Sequence, residues 1–512
     1  MKMIVAPAGT GGVLVPIDED GAPTGPAFEY TDSAATISRI EADEHPRWVW
    51  ESATRMYPAL LDRDVRIGRC HDLSLTQSIL SMRRGEPSAH GAVDVDDRPG
   101  LFDTHHYPTA DALIEWHRTQ TTEIDASPGL RLLVAAESAG ALAAAEMSFD
   151  GLPFSATRHR AYLEDILGSR PPEGALPPAM VDLETEIGEV FGRRVNPASP
   201  SDVVAAFARA DITLTSTRAH VLKTIDHRAV PLMLRYRDLS KLFSTNGWTW
   251  VDAWVREDRF RPVYVPGAVV SGRWASRGGG ALQIPKALRS SVVADPGHTF
   301  VIADAGQLEP RILAAMSGDR RMTAAAGSED LYALVAGEAF GGDRDQAKVA
   351  ILGVLYGATS GNARALLALL RRRFPDAVEY VERAARAGER GEVVHSWLGR
   401  ACPAPPPEWW SHGDARARGR FTRNFVVQAT ASEWALCLLA ELRRRLLAEP
   451  DLGELVFFQH DEVVVHTRNP APAQALVQES ALAATRLLFG DTVVRFPLDI
   501  AVRECYADDR SS

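Results

Sequence analysis

Apolar runs at positions 3–5 and 48–50, set among turn-rich stretches such as 84–100, predict a small α/β layer over residues 1–127. From 129 to 147 the leucines fall at helical spacing and give way to alanines, so a long helix is expected there, closed by Gly151 and Pro153. Polar, proline-rich punctuation at 169–178 and 196–201 separates helical segments that continue to about Asn246, as in a helical arm. Beyond His298 strand patterns alternate with long helices. The last strands, at 455–458, 463–466 and 496–502, predict a sheet assembled from distant parts of the chain. The prolines at 403–407 read as a rigid connector.

Composition narrows the class without choosing a function. With 46% hydrophobic and 24% charged residues, 512 residues can bury a large core. No apolar run is expected to span a bilayer and no leader pattern stands at the N-terminus, so a cytoplasmic chain with no membrane partner is expected. Cys70, Cys402, Cys437 and Cys505 lack metal-site spacing and read as reduced, structural thiols. The net charge of -11 is unlike a basic nucleic-acid domain, but arginines cluster at 371–373 and again at Arg416, Arg418, Arg420 and Arg423. Each cluster is either a solvated face or a phosphate surface.

Chemistry gathers at two carboxylate positions and one helix. The apolar run 299–303 ends in Asp304, ahead of Gly306, Gln307, Glu309 and a helix bearing Ile312, Leu313 and Met316. Taken alone, such an aspartate caps a helix or holds a ligand. The second position is a predicted hairpin with His460, Asp461 and Glu462 at its tip. Adjacent acids beside apolar strands need a compensating cation, and Asp304 with Asp461 could hold two Mg2+ ions about 4 Å apart. Between these acids, Arg344, Lys348, Leu352 and Tyr356 recur every four residues and share one helical face. Two cations on one face suit an anion such as a triphosphate; alternatively Lys348 pairs with Asp345 at the surface.

These segments resemble the motifs of family A DNA polymerases. Asp304-Ala-Gly-Gln-Leu-Glu-Pro-Arg311 with Ser317-Gly-Asp319 resembles motif A, Arg344 to Gly357 resembles motif B, and Gln459-His-Asp-Glu462 resembles motif C. Arg420-x3-Asn424-x3-Gln428 looks like the family's template-contacting helix, Arg235 to Thr245 like its thumb, and Ser271-Gly-Arg273 like its minor-groove contact. The resemblance spans roughly 130–506 and implies an α+β multidomain fold: a right hand at 128–512, preceded by a degenerate 3′-5′ exonuclease-like domain at 1–127. The thumb falls at about 155–260, the palm at about 262–325 and 420–512, and the fingers at about 326–419.

The resemblance also implies roles. Asp304 and Asp461 bind two Mg2+ ions, for which Mn2+ can substitute, with support from Glu462. Arg344 and Lys348 grip a deoxynucleoside triphosphate, Lys348 also serving as general acid. Gln307, Glu309, Leu352 and Tyr356 complete the nucleotide site, Glu309 lying against the sugar 2′ position. Arg273, Arg420, Asn424, Gln428 and His460 touch primer-template DNA. The implied enzyme is a monomeric, nucleoid-associated DNA polymerase of replication or repair. The sequence departs from the pattern at Ala305, Pro310 and Leu352, where the family keeps tyrosine, leucine and an aromatic, and the stretch 357–374 is short. Arg69-Cys-His-Asp72 resembles part of the exonuclease fold, but no Asp-x-Glu stands on an early strand, so proofreading is expected to be absent. Asp182-Leu-Glu184 has those letters within the expected thumb helix and reads as a solvated face, and no room is expected for a 5′ nuclease. Rival readings are a DNA-binding relative without catalysis and a metal-dependent nuclease; a triphosphate-gripping helix argues against the second.

Overall fold

The computed structural model describes residues 1–8, 11–86, 107–277, 280, 284–357 and 363–507. The turn-rich stretch expected at 84–100 lies outside the described residues from position 87 onward, and the short 357–374 segment lies partly outside them. Two compact units emerge, one of residues 1–151, 263–277 and 296–504, the other of 152–262, 278–295 and 505–512.

The first unit opens with a five-stranded sheet in the order β3-β2-β1-β4-β5, made of β1 (Lys2–Ala8), β2 (Gly11–Ile17), β3 (Phe28–Tyr30), β4 (Arg47–Trp50) and β5 (Arg69–Asp72). β1 runs antiparallel to β2 and parallel to β4. Both faces are covered, which is why β1 reads as a continuous apolar run rather than an alternating one. Met3 and Val5 enter one core with Trp48 and Trp50, while Ile4 and Ala6 enter the other with Leu73, Leu113 and Ile114. Helix α1 (Leu73–Arg83) follows β5, and α2 (Pro128–Asp150) lends Ala141 and Leu142 to the first core.

The same unit holds a four-stranded antiparallel sheet in the order β7-β8-β6-β9, from β6 (Thr299–Ala305), β7 (Glu454–Gln459), β8 (Glu462–Thr467) and β9 (Leu498–Arg503). Between β6 and β7 the chain forms α3 (Leu308–Ser317), α4 (Leu331–Ala339), α5 (Arg344–Tyr356) and the long α6 (Ala415–Ala448).

One expectation is corrected. Both α2 and α6 are long and apolar enough to cross a membrane, yet 67% and 83% of their apolar windows are buried inside the fold. They are core helices, and their buried charged side chains are hydrogen-bonded or paired. Arg443 of α6 binds Glu146 of α2 through Nε at 2.7 Å and also donates to the carbonyls of Ile67 and Gly68, while Tyr57 Oη donates to Glu146 at 2.5 Å. Breaking such a pair strands a charge in the interior, so this network fixes α2 and α6 in register with the loop before β5.

The second unit is mainly helical, with segments Ala156–Leu167, Pro178–Phe191, Pro200–Arg209 and Ala229–Asn246, and a small three-stranded sheet. Its core stacks Phe154, His159, Trp250 and Phe260. Asp182 is exposed on Pro178–Phe191, and Glu184 accepts a hydrogen bond from Tyr236 Oη at 3.0 Å, so the Asp-x-Glu letters there sit on a helix face as expected.

Candidate active site

Asp304 is the penultimate residue of β6 and is exposed, whereas Ala303 and Ala305 on either side of it are buried. It stands opposite Glu462 on β8 and Asp499 on β9. Residues directly opposite in antiparallel strands share a face, so Glu462, Asp304 and Asp499 form a row of three carboxylates across the sheet. Asp461 joins them from the tight turn between β7 and β8. His460 takes a left-handed φ of 59° there, and the Asp461 carbonyl accepts the Ala305 N–H at 3.3 Å, which ties the turn to the end of β6. Among the described residues Asp304 makes no capping bond; the residue leading into α3 is Gln307.

Burial, and then the neighbouring charge of Asp304, pushes the Asp461 carboxyl up to about 7. Asp304 is likewise raised, by burial first and Asp499 second. Such crowding favours a bound cation, and an all-oxygen donor set suits a hard divalent ion such as Mg2+. The acids face a cleft of about 290 Å3 that is also lined by Arg273, Glu309, Tyr332, Leu352 and Ser432.

Glu309, in the first turn of α3, is clamped from two sides. Arg273 Nη2 donates to its Oε1 at 2.7 Å, and Tyr356 Oη donates to its Oε2 at 2.7 Å. Burial and this bond push Tyr356 up to about 12, so its hydroxyl remains a donor at neutral pH. His460 is held low, by burial first and then by Arg273.

Helix α5 presents Arg344, Lys348 and Tyr356 to solvent and leaves Leu352 partly buried at the cleft. Arg344 does not stand free: its Nε donates to Asp330 Oδ2 at 2.8 Å, and its guanidinium lies 5.6 Å from the centre of the Tyr332 ring. Asp330 also caps α4 through the Ala333 N–H and accepts Gln307 Nε2 at 2.9 Å. Gln307 in turn accepts the Leu331 N–H at 2.9 Å, so its amide is engaged at the start of α4. Lys348 has no hydrogen bond or ion pair among the described residues, Asp345 included.

On α6, Arg420 packs beside Gly357, which has a φ of 67°; a Cβ added there would lie 3.0 Å from Arg420 Cγ. Asn424 and Gln428 follow at four-residue intervals, and the Asn424 Oδ1 is buried without a partner among the described residues. Of the other arginines, Arg418 binds the Pro403 carbonyl at 2.5 Å, Arg423 pairs with Glu382 and Arg371 lies 3.5 Å from Glu382.

Sequence reasoning missed Asp499, Asp330 and Tyr332. Asp499 carried a usable signal, as an acid interrupting an apolar strand; Asp330 and Tyr332 are recognisable only from the way α4 packs on α5.

Residues 175–502 match the profile of the family described as DNA polymerase family A. The chain is 27% identical over 304 residues to DNA polymerase I of Chloroflexus aurantiacus, covering 53% of this chain and 31% of that protein. With the thermostable DNA polymerase I of Thermus aquaticus it shares 26% identity over 321 residues, covering 56% and 37% respectively. With DNA polymerase I of Caldicellulosiruptor bescii the identity is 23% over 362 residues, covering 64% and 42%. The chain thus spans less than half the length of these curated relatives. A solved structure described as the POL domain of Pol1 from M. smegmatis in complex with DNA primer-template and dNTP matches with a TM-score of 0.75 at 19% identity, covering 99% of this chain and 95% of that one. That likeness is one of fold.

Proposed function

The chain belongs to DNA polymerase family A, and on that premise we propose that it adds deoxynucleotides to a primer 3′ end on a DNA template, in replication or repair. The observation that carries the reading is the row of carboxylates around Asp304 and Asp461, beside a cleft that Leu352 of α5 also lines. Two Mg2+ ions held by Asp304 and Asp461 would lower the pKa of the primer hydroxyl and neutralise the triphosphate.

This chain's own residues do the rest. Glu462 and Asp499 stand beside the two metal-binding acids and sustain the negative field. Arg344 leaves Asp330 to bind the triphosphate, and the exposed Lys348 Nζ grips it and gives a proton to the departing pyrophosphate. Glu309, fixed by Arg273 and Tyr356, meets the sugar 2′ position. Leu352 packs against the nucleotide, Gln307 braces its binding wall through α4, and Tyr356 adjoins the templating base. Arg420, Asn424, Gln428, Arg273 and His460 contact the primer-template.

Primer extension is the test. With labelled primer-template, Mg2+ and four deoxynucleotides, the wild-type chain extends the primer and Asp461→Asn does not. A chain that binds primer-template under these conditions but never lengthens the primer would overturn the reading. We further propose that no proofreading accompanies synthesis, since β1 carries no carboxylate. A 3′-mismatched primer kept with Mg2+ and no nucleotides should stay intact, and shortening that survives Asp304→Asn would refute this.

A further inference from the structure

The turn between the strands Val263–Val265 and Ala275–Arg277 carries Arg273, whose Nη2 holds Glu309 at 2.7 Å. Within it the Gly272 N–H donates to the Val269 carbonyl at 2.7 Å, and the Val269 N–H donates to the Arg273 carbonyl at 3.1 Å. Val269 and Val270 are exposed, while Ser271 is buried. Against Gly272 lies Arg400: a Cβ added to this glycine, whose φ is 82°, would come within 2.8 Å of the guanidinium Cζ and Nε. The flat cation therefore occupies the room that a side chain at 272 would need. Such a contact fixes the backbone one residue before Arg273.

Arg400 is itself fixed from two directions. Its Nη2 pairs with Glu137 of α2, and both side chains are only 2% exposed. Its backbone belongs to a turn anchored on α6. Ser396 Oγ and the Leu398 N–H donate to Glu433, the Trp397 N–H donates to Thr430 Oγ1 at 3.0 Å, and the Arg400 N–H donates to Ser396 Oγ at 2.8 Å. Glu137 also lies beside the turn that bears Arg273, 3.8 Å from where a Cβ of Gly267 would stand. Stability alone does not account for the pair. A buried ion pair gains little over apolar residues of the same volume, and here Glu137 Oε2 and Arg400 Nε have no hydrogen-bond partner among the described residues. What a buried guanidinium supplies, and a leucine or lysine does not, is a rigid planar face in a set place.

Resting on the polymerase reading above, we propose that Arg400 is a positioning residue for sugar selection: tied to Glu137 and laid against Gly272, it sets the turn that aims Arg273 at Glu309. The carboxylate that meets the sugar 2′ position is then held in place by way of a buried cation that does not itself line the cleft.

Arg400→Ala would strand Glu137 and endanger folding, so the test uses two other variants. Arg400→Lys keeps the charge without the plane, and Arg400→Met combined with Glu137→Leu removes both charges. The first readout needs no polymerisation. Arg273→Ala, Glu309→Ala and their combination are unfolded in urea in each background. The midpoint shifts should be coupled in the otherwise wild-type chain and additive in Arg400→Lys and in the paired variant. Equal coupling in all backgrounds, or none in any, overturns the proposal. The second readout is discrimination between deoxy- and ribonucleotides, taken as a ratio of kcat/KM values. Arg400→Lys should lower it by roughly 3- to 10-fold, the scale of one hydrogen bond, and should lower it no further once Arg273→Ala is present. A chain that never extends a primer would defeat the polymerase reading and leave the urea cycle to judge the aim of Arg273. Lower stability with coupling and discrimination both intact would make the pair structural only, which also overturns the proposal.

Discussion

The two sheets of the first unit each carry an aspartate at or next to a strand end, and each aspartate is raised above its ordinary range by burial, but their surroundings divide them. Asp72, at the end of β5, is fully buried and raised to about 6, and its oxygens accept the N–H groups of Leu75 at 2.9 Å and Ala53 at 2.7 Å. It caps α1, and its hydrogen-bonding capacity is spent on backbone. Asp304 and Asp461, at the end of the other sheet, face solvent and one another, beside Glu462 and Asp499. A strand-end carboxylate is structural where amides satisfy it and available for chemistry where other carboxylates crowd it. On the function proposed above, the metal belongs to the second sheet and not to the first, and the following expectations bear on that contrast in decreasing size.

Asp304→Asn should lower incorporation by about 10^3-fold or more, since an ion's contribution to stabilising charge is worth several kcal/mol. Primer-template affinity should change little. Metal-free thermal stability should stay level or rise, because one repulsive charge has gone. A marked fall in melting temperature would mean that this acid, like Asp72, is structural.

Asp72→Ala should do the reverse. Loss of a cap and a stranded Ala53 N–H should cost about 2–4 kcal/mol, while activity per folded molecule is retained. Urea denaturation paired with active-site titration would decide it, and an unchanged midpoint would remove the distinction drawn between the two aspartates.

The first sheet should also be acid-sensitive. His71 is held down to about 4 and His117 to about 3, in both cases by burial first, and their rings lie 5.2 Å apart. Because the folded chain resists protonation that the unfolded chain accepts below about 6.5, stability is full above that pH and is lost as pH falls toward 4. Asp72 acts in the opposite sense between about 4 and 6, stabilising as it gains its proton, and so offsets only part of the loss from the two histidines. His71→Gln should flatten the dependence of the urea midpoint on pH; an equally steep profile would locate the sensitivity elsewhere.

The contrast between the two sheets was partly readable in the sequence. Asp304, Asp461 and the α5 face stand in local patterns, an apolar run ending in an acid and a four-residue repeat, and local patterns survive without knowledge of packing. The strands at 3–5 and 48–50 were legible for the same reason. Asp499 was not assigned, because its place opposite Asp304 depends on pairing β6 with a strand almost 200 residues later. Nor was the role of α2 and α6 as core helices, since apolar length alone does not separate a buried helix from a spanning one. The engagement of Arg344 with Asp330 was hidden too, being a contact between α4 and α5 rather than within either.

The smallest expected effect concerns sugar selection. Leu352 replaces an aromatic, which from sequence suggests a loose gate at Glu309 and ready incorporation of ribonucleotides. The structure supplies a compensation, since Glu309 is held by two charge-assisted bonds, from Arg273 and from Tyr356. A carboxylate fixed at both oxygens needs less backing from residue 352. Discrimination against ribonucleotides, taken as a ratio of kcat/KM values, should therefore fall most in Glu309→Ala, by about 10- to 200-fold, the range for a buried contact that loses a few heavy atoms. Tyr356→Phe releases one oxygen and should fall by less, about 5- to 10-fold, the effect of losing one partly exposed hydrogen bond worth about 1 to 1.4 kcal/mol. Leu352→Phe should tighten selection by only about 2- to 5-fold, since it adds packing but no bond. If Leu352→Phe changed selection more than Tyr356→Phe, packing at residue 352 rather than the clamp on Glu309 would set the gate.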